Sequence, residues 1–381
     1  MNRSRVLFAS LLVASALLAL VGVFVMTDLG QLFSIQKSVI VAYFQSHLAY
    51  MIAATLLFAF AVVLNRREKF LRRRWLIVFG VFLLGCFAST KYAAPYLMFP
   101  TQQHDAVYKT IAEAEGYLAE DDTVYVVDRN GVARAYPKRY IWQPHVFGAE
   151  FGDERIVLTY CVLSNLPIAY HEELDGEPMS LRVLAQTNNN LLLWDTNGGE
   201  IIQQINSTAE FSKRRLEPLP VLEMSWKAFQ ALYPKGKVLF NEFDNPIEIM
   251  LDFAQPIEDA HGGDEYMFKS VATDDTRLPP KEQIVGVESS GESVAYTRDY
   301  LRKAGLTNVR VGDKSLVIAH IPEHDILVTF DRMKDGAEIE VSKVDAFGRT
   351  PEHGQLERAF IFNGVLWAVW LHYYPDTELK Q

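Results

Sequence analysis

Cys161 carries the most reactive side chain of this sequence. The chain has two cysteines, and the other, Cys86, lies in an apolar segment. A thiolate acts as a nucleophile or a metal ligand when its neighbours lower its pKa, and His320 and His145 are the candidate partners for catalysis. Free cysteine is also among the most buried residue types, and a small core side chain is the more frequent role.

Metal binding is the second kind of chemistry that these residues allow. His320 and His324 are four residues apart, a spacing that places two imidazoles on one face of a helix. Pro322 and the surrounding β pattern disfavour a helix there, so the two rings need not converge. The candidate metal ligands are therefore Cys161, His320 and His324, and no particular metal is indicated.

A run of asparagines forms a third candidate site. Asn188, Asn189 and Asn190 precede an apolar stretch and offer amide groups that could bind a polar ligand. Asparagine also adopts turn conformations readily, so a turn is the simpler interpretation of the same residues.

No established catalytic motif accompanies these candidates. The chain lacks Gly-x-Ser-x-Gly, a phosphate-binding Gly-x-x-x-x-Gly-Lys, His-Glu-x-x-His and Cys-x-x-Cys. The sequence therefore leaves an enzymatic activity uncertain, with the balance against one, and it indicates no cofactor.

The C-terminal part of the chain contains an internal duplication. Residues 125–170 align with residues 285–330 without a gap, at a constant offset of 160. A second match, with one residue inserted, pairs Leu216, Trp226 and Tyr233 with Leu356, Trp367 and Tyr374. The alignment places Cys161 opposite Ile321 and Tyr160 opposite His320, so a cleft between the copies could gather Cys161, His320 and His145. Positions at which the copies differ are where we expect a site.

Three apolar segments precede the duplicated part. Residues 6–26, 39–64 and 75–94 are each long enough to cross about 30 Å of hydrocarbon as a helix. The first could be a cleaved signal peptide, but its length and the two segments that follow favour a retained helix. Gln45 and His47 lie within the second segment, where we expect polar side chains to contact another helix.

The distribution of charge predicts an orientation. Residues 1–99 contain 10 Lys and Arg against 2 Asp and Glu, whereas the remainder contains 27 against 45. Basic residues before the first segment and at 66–74 place the N-terminus in the cytoplasm, so the acidic remainder is periplasmic or extracellular. We expect an anchor in the cytoplasmic (inner) membrane, with the lipid bilayer as a partner. An acidic domain is a poor binder of nucleic acid, which we exclude as a partner.

The predicted fold has five parts. A transmembrane region (1–99) is followed by a linker helix (100–122), a first β-rich repeat (123–240), a connector (241–282) and a second β-rich repeat (283–381). Asn130 and Gly131 mark a hairpin turn in the first repeat. We expect a mixed, mainly antiparallel assembly of sheets in the two repeats.

Several short motifs resemble the DUF3179 family of uncharacterised bacterial and archaeal proteins. They are residues 131–137 (GVARAYP), 159–163 (TYCVL), 191–195 (LLLWD), 346–349 (AFGR) and 373–378 (YYPDTE). The resemblance covers roughly residues 121–378 and implies an extracytoplasmic domain without an assigned activity. The family commonly has Tyr-Cys-Pro-Leu-Cys, where this chain has Tyr160-Cys161-Val162-Leu163-Ser164. A dithiol or two-thiolate role therefore lacks its second thiol here.

The sequence thus predicts a membrane-anchored extracytoplasmic binding or scaffolding protein. Partner subunits in the membrane are expected, which would make the chain an accessory subunit of a larger complex. The alternative is a metal-binding or thiol-dependent enzyme or redox protein centred on Cys161.

Overall fold

The computed structural model describes residues 3–27, 30, 33–241, 269–271 and 273–381. Most of the predicted connector lies outside these residues. The helices are α1 (Arg3–Val25), α2 (Lys37–Glu68), α3 (Arg73–Ala88), α4 (Lys138–Ile141), α5 (Trp226–Leu232), α6 (Arg298–Ala304) and α7 (Trp367–Tyr373). A π-helix spans Ser89–Met98 and a 3-10 turn spans Lys269–Val271.

Among the described residues, three helices are long and apolar enough to cross a membrane. They are α1, α2 and a third that runs through α3 to Tyr92, which confirms the three apolar helices predicted from the sequence. α1 packs closely on α2: the Ser15 hydroxyl donates to the Ala54 carbonyl at 2.7 Å. A Cβ atom at Gly22 would overlap Tyr43 and Thr90, so a glycine permits this approach.

The third apolar segment does not continue as an α-helix. After Ala88 it becomes the π-helix Ser89–Met98, which contains Pro95. Proline has no N–H group and its ring clashes with the carbonyl four residues earlier, so a regular α-helical pattern cannot run through it.

The predicted linker helix is wrong. Residues Val107–Thr110 form strand β1, and turns follow to residue 117. β1 pairs antiparallel with β14, with Val107 opposite Phe240, and this distant partner overrides the local helical spacing. Gly116 then has a φ of 87°, a left-handed conformation that interrupts any helix.

The remainder of the described chain is rich in β-strands. These are β1 (Val107–Thr110), β2 (Thr123–Arg129), β3 (Val132–Pro137), β4 (Val146–Phe151), β5 (Glu154–Cys161), β6 (Leu166–His171), β7 (Glu173–Leu174), β8 (Glu177–Pro178), β9 (Leu181–Thr187), β10 (Asn190–Asp195), β11 (Ile201–Gln203), β12 (Thr208–Ala209), β13 (Leu222–Ser225), β14 (Lys237–Phe240), β15 (Gln283–Ser289), β16 (Glu292–Thr297), β17 (Leu306–Val311), β18 (Lys314–Ile321), β19 (Ile326–Asp331), β20 (Met333–Lys334), β21 (Ala337–Glu338), β22 (Arg349–Thr350), β23 (Gly354–Gln355), β24 (Phe362–Leu366) and β25 (Glu378–Lys380).

The strands form mainly antiparallel sheets, as predicted. One sheet has the order β1-β14-β3-β2-β13 and another the order β24-β15-β16-β25, each with one parallel pair at β14–β3 or β16–β25. Three-stranded sheets follow each of them, β4-β5-β6 and β17-β18-β19. Asn130 and Gly131, both with positive φ, form the tight turn between β2 and β3 that the sequence indicates.

Contacts between the sheets bring the two halves of the β-rich part together. β6 contacts β24, β19 contacts β13, and β13 and β24 contact each other. The sheet β12-β11-β10-β9 belongs to the first half, and the corresponding part of the second half has the two-stranded β22–β23. The edges of β13 and β24 are therefore the place where residues from both halves meet.

The start of α2 packs against the sheet β9–β12. Ile40 and Tyr43 are buried with Leu192 and Ile201 in one apolar cluster. The ring of Phe44 lies 5.7 Å from that of Trp194. This contact joins the apolar helices to the β-rich part.

Candidate functional site

Cys161 ends strand β5 and is fully buried. Its thiol donates a weak hydrogen bond to the Asn189 carbonyl at 3.5 Å, and Leu163 and Leu191 belong to the same apolar cluster. Burial raises the pKa of Cys161 to about 11. The thiol is therefore neutral at pH 7 and closed to solvent, which are the properties of a core cysteine and not of a nucleophile.

His145 is buried just before β4, next to Tyr160 of β5. Its Nδ1–H donates to the Tyr160 carbonyl at 2.8 Å, and its ring lies 5.1 Å from that of Phe99. Burial lowers the pKa of His145 to about 4, although the bond to Tyr160 opposes this shift. His145 is thus a neutral imidazole that fixes the backbone before Cys161, and within the described residues no hydrogen bond joins it to the thiol.

Asn188 and Asn189 form the turn between β9 and β10. Their φ angles are 51° and 52°, and Thr187 pairs with Asn190 across the turn. Two consecutive residues with positive φ are what a two-residue hairpin of type I′ requires, and asparagine tolerates them. The turn interpretation therefore accounts for these two residues.

Asn190 lies at the centre of a buried polar network. Its amide nitrogen donates to Gln204 Oε1 at 3.0 Å and to Ser164 Oγ at 3.4 Å. Its amide oxygen accepts from Gln203 Nε2 at 2.9 Å and from the Ile205 backbone N–H at 3.1 Å. Two donors and two acceptor sites exhaust the capacity of one amide, so Asn190 has none left for a ligand.

Gln204 extends this network to the neighbouring sheet. Its Nε2 donates to Thr159 Oγ1 at 3.0 Å and to the Leu166 carbonyl at 3.1 Å. Strands β5, β6 and β10 are thereby linked through buried amides, with Cys161 at the border. The structure thus brings Cys161 and the asparagine cluster together, but as parts of a closed interior.

His320 and His324 do not converge with Cys161 on a metal centre. His320 Nε2 lies 2.8 Å from Asp325 Oδ1, and Arg302 binds both oxygens of the same carboxylate at 3.0 and 3.1 Å. His324 lies in the turn after β18. Among the described residues, no group of three or more His, Cys, Asp or Glu is placed to hold a metal ion.

A charged cleft lies where the two halves of the β-rich part meet. We call it the inter-sheet cleft, and it is lined by Glu223, Arg298, Arg302, Asp325, Leu327 and Asn363. It encloses about 20 Å³, which is room for one water-sized group.

The inner end of the inter-sheet cleft contains an ion pair between the halves. Arg298 Nη2, from α6, lies 2.5 Å from Glu223 Oε2 on β13 and 3.3 Å from Asn363 Oδ1 on β24. The side chains of Arg298 and Glu223 are 23% and 13% exposed. Arg298 Nε is buried without a hydrogen-bond partner within the described residues. The guanidinium group therefore keeps a buried donor free for another acceptor.

Lys138 adds a second cation beside this ion pair. It starts α4, in the first half, and burial lowers the pKa of its ammonium group. The carboxylate of Glu223 opposes that shift and the charge of Arg298 adds to it. Among the described residues, no carboxylate lies within ion-pair distance of Lys138. A half-buried lysine with a lowered pKa, next to another cation, is a feature of functional sites.

Hydrogen bonds connect the inter-sheet cleft to the Cys161 hairpin. Asn165, in the turn after β5, accepts bonds from the hydroxyls of Tyr125 and Tyr160, both at 2.9 Å. Its amide nitrogen donates to the Gly364 carbonyl at 2.7 Å, across the boundary between the halves. The end of β5, where Cys161 stands opposite Ile321 in the sequence alignment, therefore lies next to the cleft, and the thiol itself is buried in an apolar cluster.

Gln45 and His47 lie on the part of α2 that is nearest to the β-rich part. His47 Nδ1 lies 2.5 Å from the Phe44 carbonyl of its own helix, and the side chain is half-buried. Gln45 is exposed. Neither side chain is enclosed by the helices of this chain, and both remain candidates for contact with another protein.

Sequence reasoning missed Lys138, Glu223 and Arg298. The alignment at an offset of 160 does place Lys138 opposite Arg298, two basic residues at one position of both copies. That match is the one signal in the sequence that relates these two residues. Their burial and the position of Glu223 between them could not be read from the sequence.

Comparison with known proteins gives one match. Residues 99–377 match the model of a family described as a protein of unknown function (DUF3179). The matched range contains Cys161, the inter-sheet cleft and Lys138, and it begins after α1, α2 and α3. Neither the curated proteins nor the solved structures gave a match.

Proposed function

Because this chain belongs to the DUF3179 family, whose function is unknown, we propose a function from its own geometry. The protein is a membrane-anchored extracytoplasmic binding protein, and its inter-sheet cleft receives a small anionic group such as a carboxylate. The observation that carries this proposal is the buried Nε–H of Arg298, which has no hydrogen-bond partner within the described residues. Arg298 and Arg302 line the cleft with the carboxylates of Glu223 and Asp325, and Lys138 is close enough that Glu223 and Arg298 both affect its pKa.

The free donors at the cleft support an anion as the ligand. Burial lowers the pKa of Lys138, and an incoming anion would oppose that shift as the carboxylate of Glu223 does. Arg298 offers its buried Nε–H for a charge-assisted hydrogen bond. The enclosed volume has room for one water-sized group, so a single oxygen of the anion would enter and the remainder of the ligand would stay at the mouth beside Arg302.

The anchor consists of α1, α2 and α3 in the cytoplasmic (inner) membrane. The positive-inside rule places the N-terminus and the basic 66–74 loop in the cytoplasm and the β-rich part outside it, in the periplasm or the extracellular space. α2 has 32 residues and is about 48 Å long, against about 30 Å of hydrocarbon. Its first turns would therefore project from the bilayer, where Phe44 meets Trp194.

We further propose that the β-rich part consists of two repeats related by a pseudo-twofold axis. Supporting this, the strand order β14-β3-β2-β13 has the same pattern as β25-β16-β15-β24. Contacts of β6 with β24 and of β19 with β13 are then equivalent, and the axis passes where β13 meets β24. On this axis each repeat supplies one cation, Lys138 or Arg298, to a shared site.

The chain also serves as an accessory or scaffolding subunit in this proposal. Gln45 and His47 are polar, lie near the outer end of α2 and are open to another protein. Co-purification from native membranes under mild detergent tests this part: a stable complex supports it, and a lone chain contradicts it. The alternative thiol or metal function has less support, because Cys161 is buried with a raised pKa.

Calorimetric titration of the full-length protein in detergent with acetate and formate tests the anion site. Lys138→Met should abolish binding, yet it should not destabilise the fold, because the folded state already disfavours the charged amine. Lys303→Met removes an exposed lysine and is the matched control. We also expect acetate binding to be accompanied by proton uptake at a pH where Lys138 is partly deprotonated, since the anion raises the pKa of Lys138. Unchanged binding in Lys138→Met would refute the site.

A further inference from the structure

A second, larger cavity lies between the start of α2 and the β-rich part. We call it the junction pocket, and it is lined by Lys37, Asn206, Thr208, Glu210, Lys213, Arg215, Glu288 and Tyr374. Its volume is about 350 Å³, within the range of small-molecule sites. The inter-sheet cleft has different lining residues, so the two cavities are separate.

The junction pocket carries more positive than negative charge. Lys37, Lys213 and Arg215 face Glu210 and Glu288, in a part of the chain whose overall charge is strongly negative. A local excess of positive charge on an acidic protein attracts anions to that place.

Two of these cations keep donors for a ligand. Lys37 Nζ bonds Glu210 Oε1 at 2.6 Å, whereas Lys213 Nζ stays 3.7 Å from the same carboxylate, beyond hydrogen-bond distance. Arg215 bonds Glu288 at 3.2 Å through Nη2 alone, out of its five N–H donors. Lys213 is 72% exposed and Arg215 is also open to solvent, so an anion can approach both.

The position of the pocket identifies the source of that anion. Lys37 is the first residue of α2, a helix that is apolar enough to cross a membrane. Phe33 and Val39 flank it, and both expose large apolar side chains. A pocket of cations above exposed apolar side chains matches a phospholipid, with its phosphate above its acyl chains.

We propose that the junction pocket binds the phosphate of a phospholipid headgroup, held by Lys213 and Arg215. The acyl chains lie along the exposed apolar side chains beside Lys37. This inference rests on the proposed membrane anchor but not on the anion site of the inter-sheet cleft. The lipid would fix the height of the β-rich part above the bilayer.

Native mass spectrometry of the full-length protein in detergent, titrated with phosphatidylglycerol, tests the proposal. We expect one retained lipid per chain, with at least tenfold weaker binding in the double variant Lys213→Ala/Arg215→Ala. The single variant Lys213→Ala controls for misfolding, because it changes only an exposed side chain. It should weaken lipid binding by about threefold. The control Lys235→Ala/Lys303→Ala removes equal charge elsewhere on the surface.

Several results would overturn the inference. Equal lipid retention by the double variant and its control would mean that the pocket does not hold the headgroup. Inorganic phosphate that binds in the pocket while phosphatidylglycerol does not would assign the site to a free anion. A chain that fails to sediment with membranes would instead contradict the proposed anchor, so the two failures are distinguishable.

Discussion

Replacing Glu223 by glutamine should destabilise the β-rich part strongly. The substitution keeps the size of the side chain but removes the negative charge that faces Arg298 at 2.5 Å. Removing one partner of a buried ion pair costs about 3–5 kcal/mol, because the other charge stays buried without compensation. Here the two side chains are 13% and 23% exposed, which places the expected loss near the lower end, at about 3 kcal/mol. Lys138 enlarges the effect, since Glu223 also compensates its charge.

Urea unfolding of the full-length protein in detergent, followed by tryptophan fluorescence, measures this loss. A change of about 3 kcal/mol moves the midpoint by roughly 1–3 M urea for slopes of about 1–3 kcal/mol per M. The double variant Glu223→Gln/Arg298→Gln should recover much of the loss, because it removes both charges. Asp175→Asn breaks an exposed ion pair with Arg214 and should leave the midpoint unchanged.

Two results would refute this reasoning. A midpoint for Glu223→Gln equal to that of the unmodified protein would mean that solvent compensates Arg298, and that the inter-sheet cleft is not a charged interior. Additive losses in the double variant would mean that Glu223 and Arg298 act independently, and that the ion pair does not hold the halves together.

Three further predictions follow from buried positions. Iodoacetamide at pH 8 should leave Cys161 unmodified in the folded protein and modify it in urea, as peptide mass spectrometry would show; modification in the folded state would contradict the burial and the raised pKa. The pKa of His145 lies at about 4, below its unfolded value of 6.5, so its contribution to stability is present above pH 6.5 and is lost as the pH falls towards 4. The loss should reach about 3 kcal/mol in urea unfolding at low pH, and His145→Asn should flatten this dependence; an unchanged slope would exclude His145 as its source. Gly148→Ala should lower the free energy of unfolding by about 1–3 kcal/mol, because a Cβ atom would overlap the Gln103 carbonyl. In the control Gly85→Ala, the Cβ atom meets no atom within 4 Å and should leave that free energy unchanged. Equal urea midpoints for the two variants would contradict the close packing at Gly148.

The sequence predicted elements whose cause is local. Apolar runs long enough to span a bilayer became α1, α2 and α3, and Asn130-Gly131 became the β2–β3 turn. The prediction of a linker helix was wrong because the structure of that segment depends on a distant strand. Strand β1 forms because it pairs with β14, more than a hundred residues away in the sequence. The spacing of apolar residues within 105–118 cannot predict that pairing.

The sequence predicted the region of the candidate site but not the residues that line it. The difference between Cys161 and Ile321 pointed to the turn that borders the inter-sheet cleft, and His320 reaches that cleft by way of Asp325. The sequence could not show which of these groups is accessible, because burial decides which groups are reactive. Cys161 is closed by the network around Asn190, whereas Lys138 is an ordinary surface-type residue in the sequence that folding makes unusual.

The sheet β9–β12 has a consequence for how the β-rich part packs on the apolar helices. The strand order β14-β3-β2-β13 matches β25-β16-β15-β24, whereas the sheet β9–β12 has four strands where the second half has the two-stranded β22–β23. If its two halves were equivalent, the β-rich part could pack on α2 in either of two ways with the same free energy. Leu192 and Ile201 of the sheet β9–β12 pack on Ile40 of α2, so only one of these two arrangements buries those side chains. The sheet β9–β12 thus selects one way for the β-rich part to pack on α2.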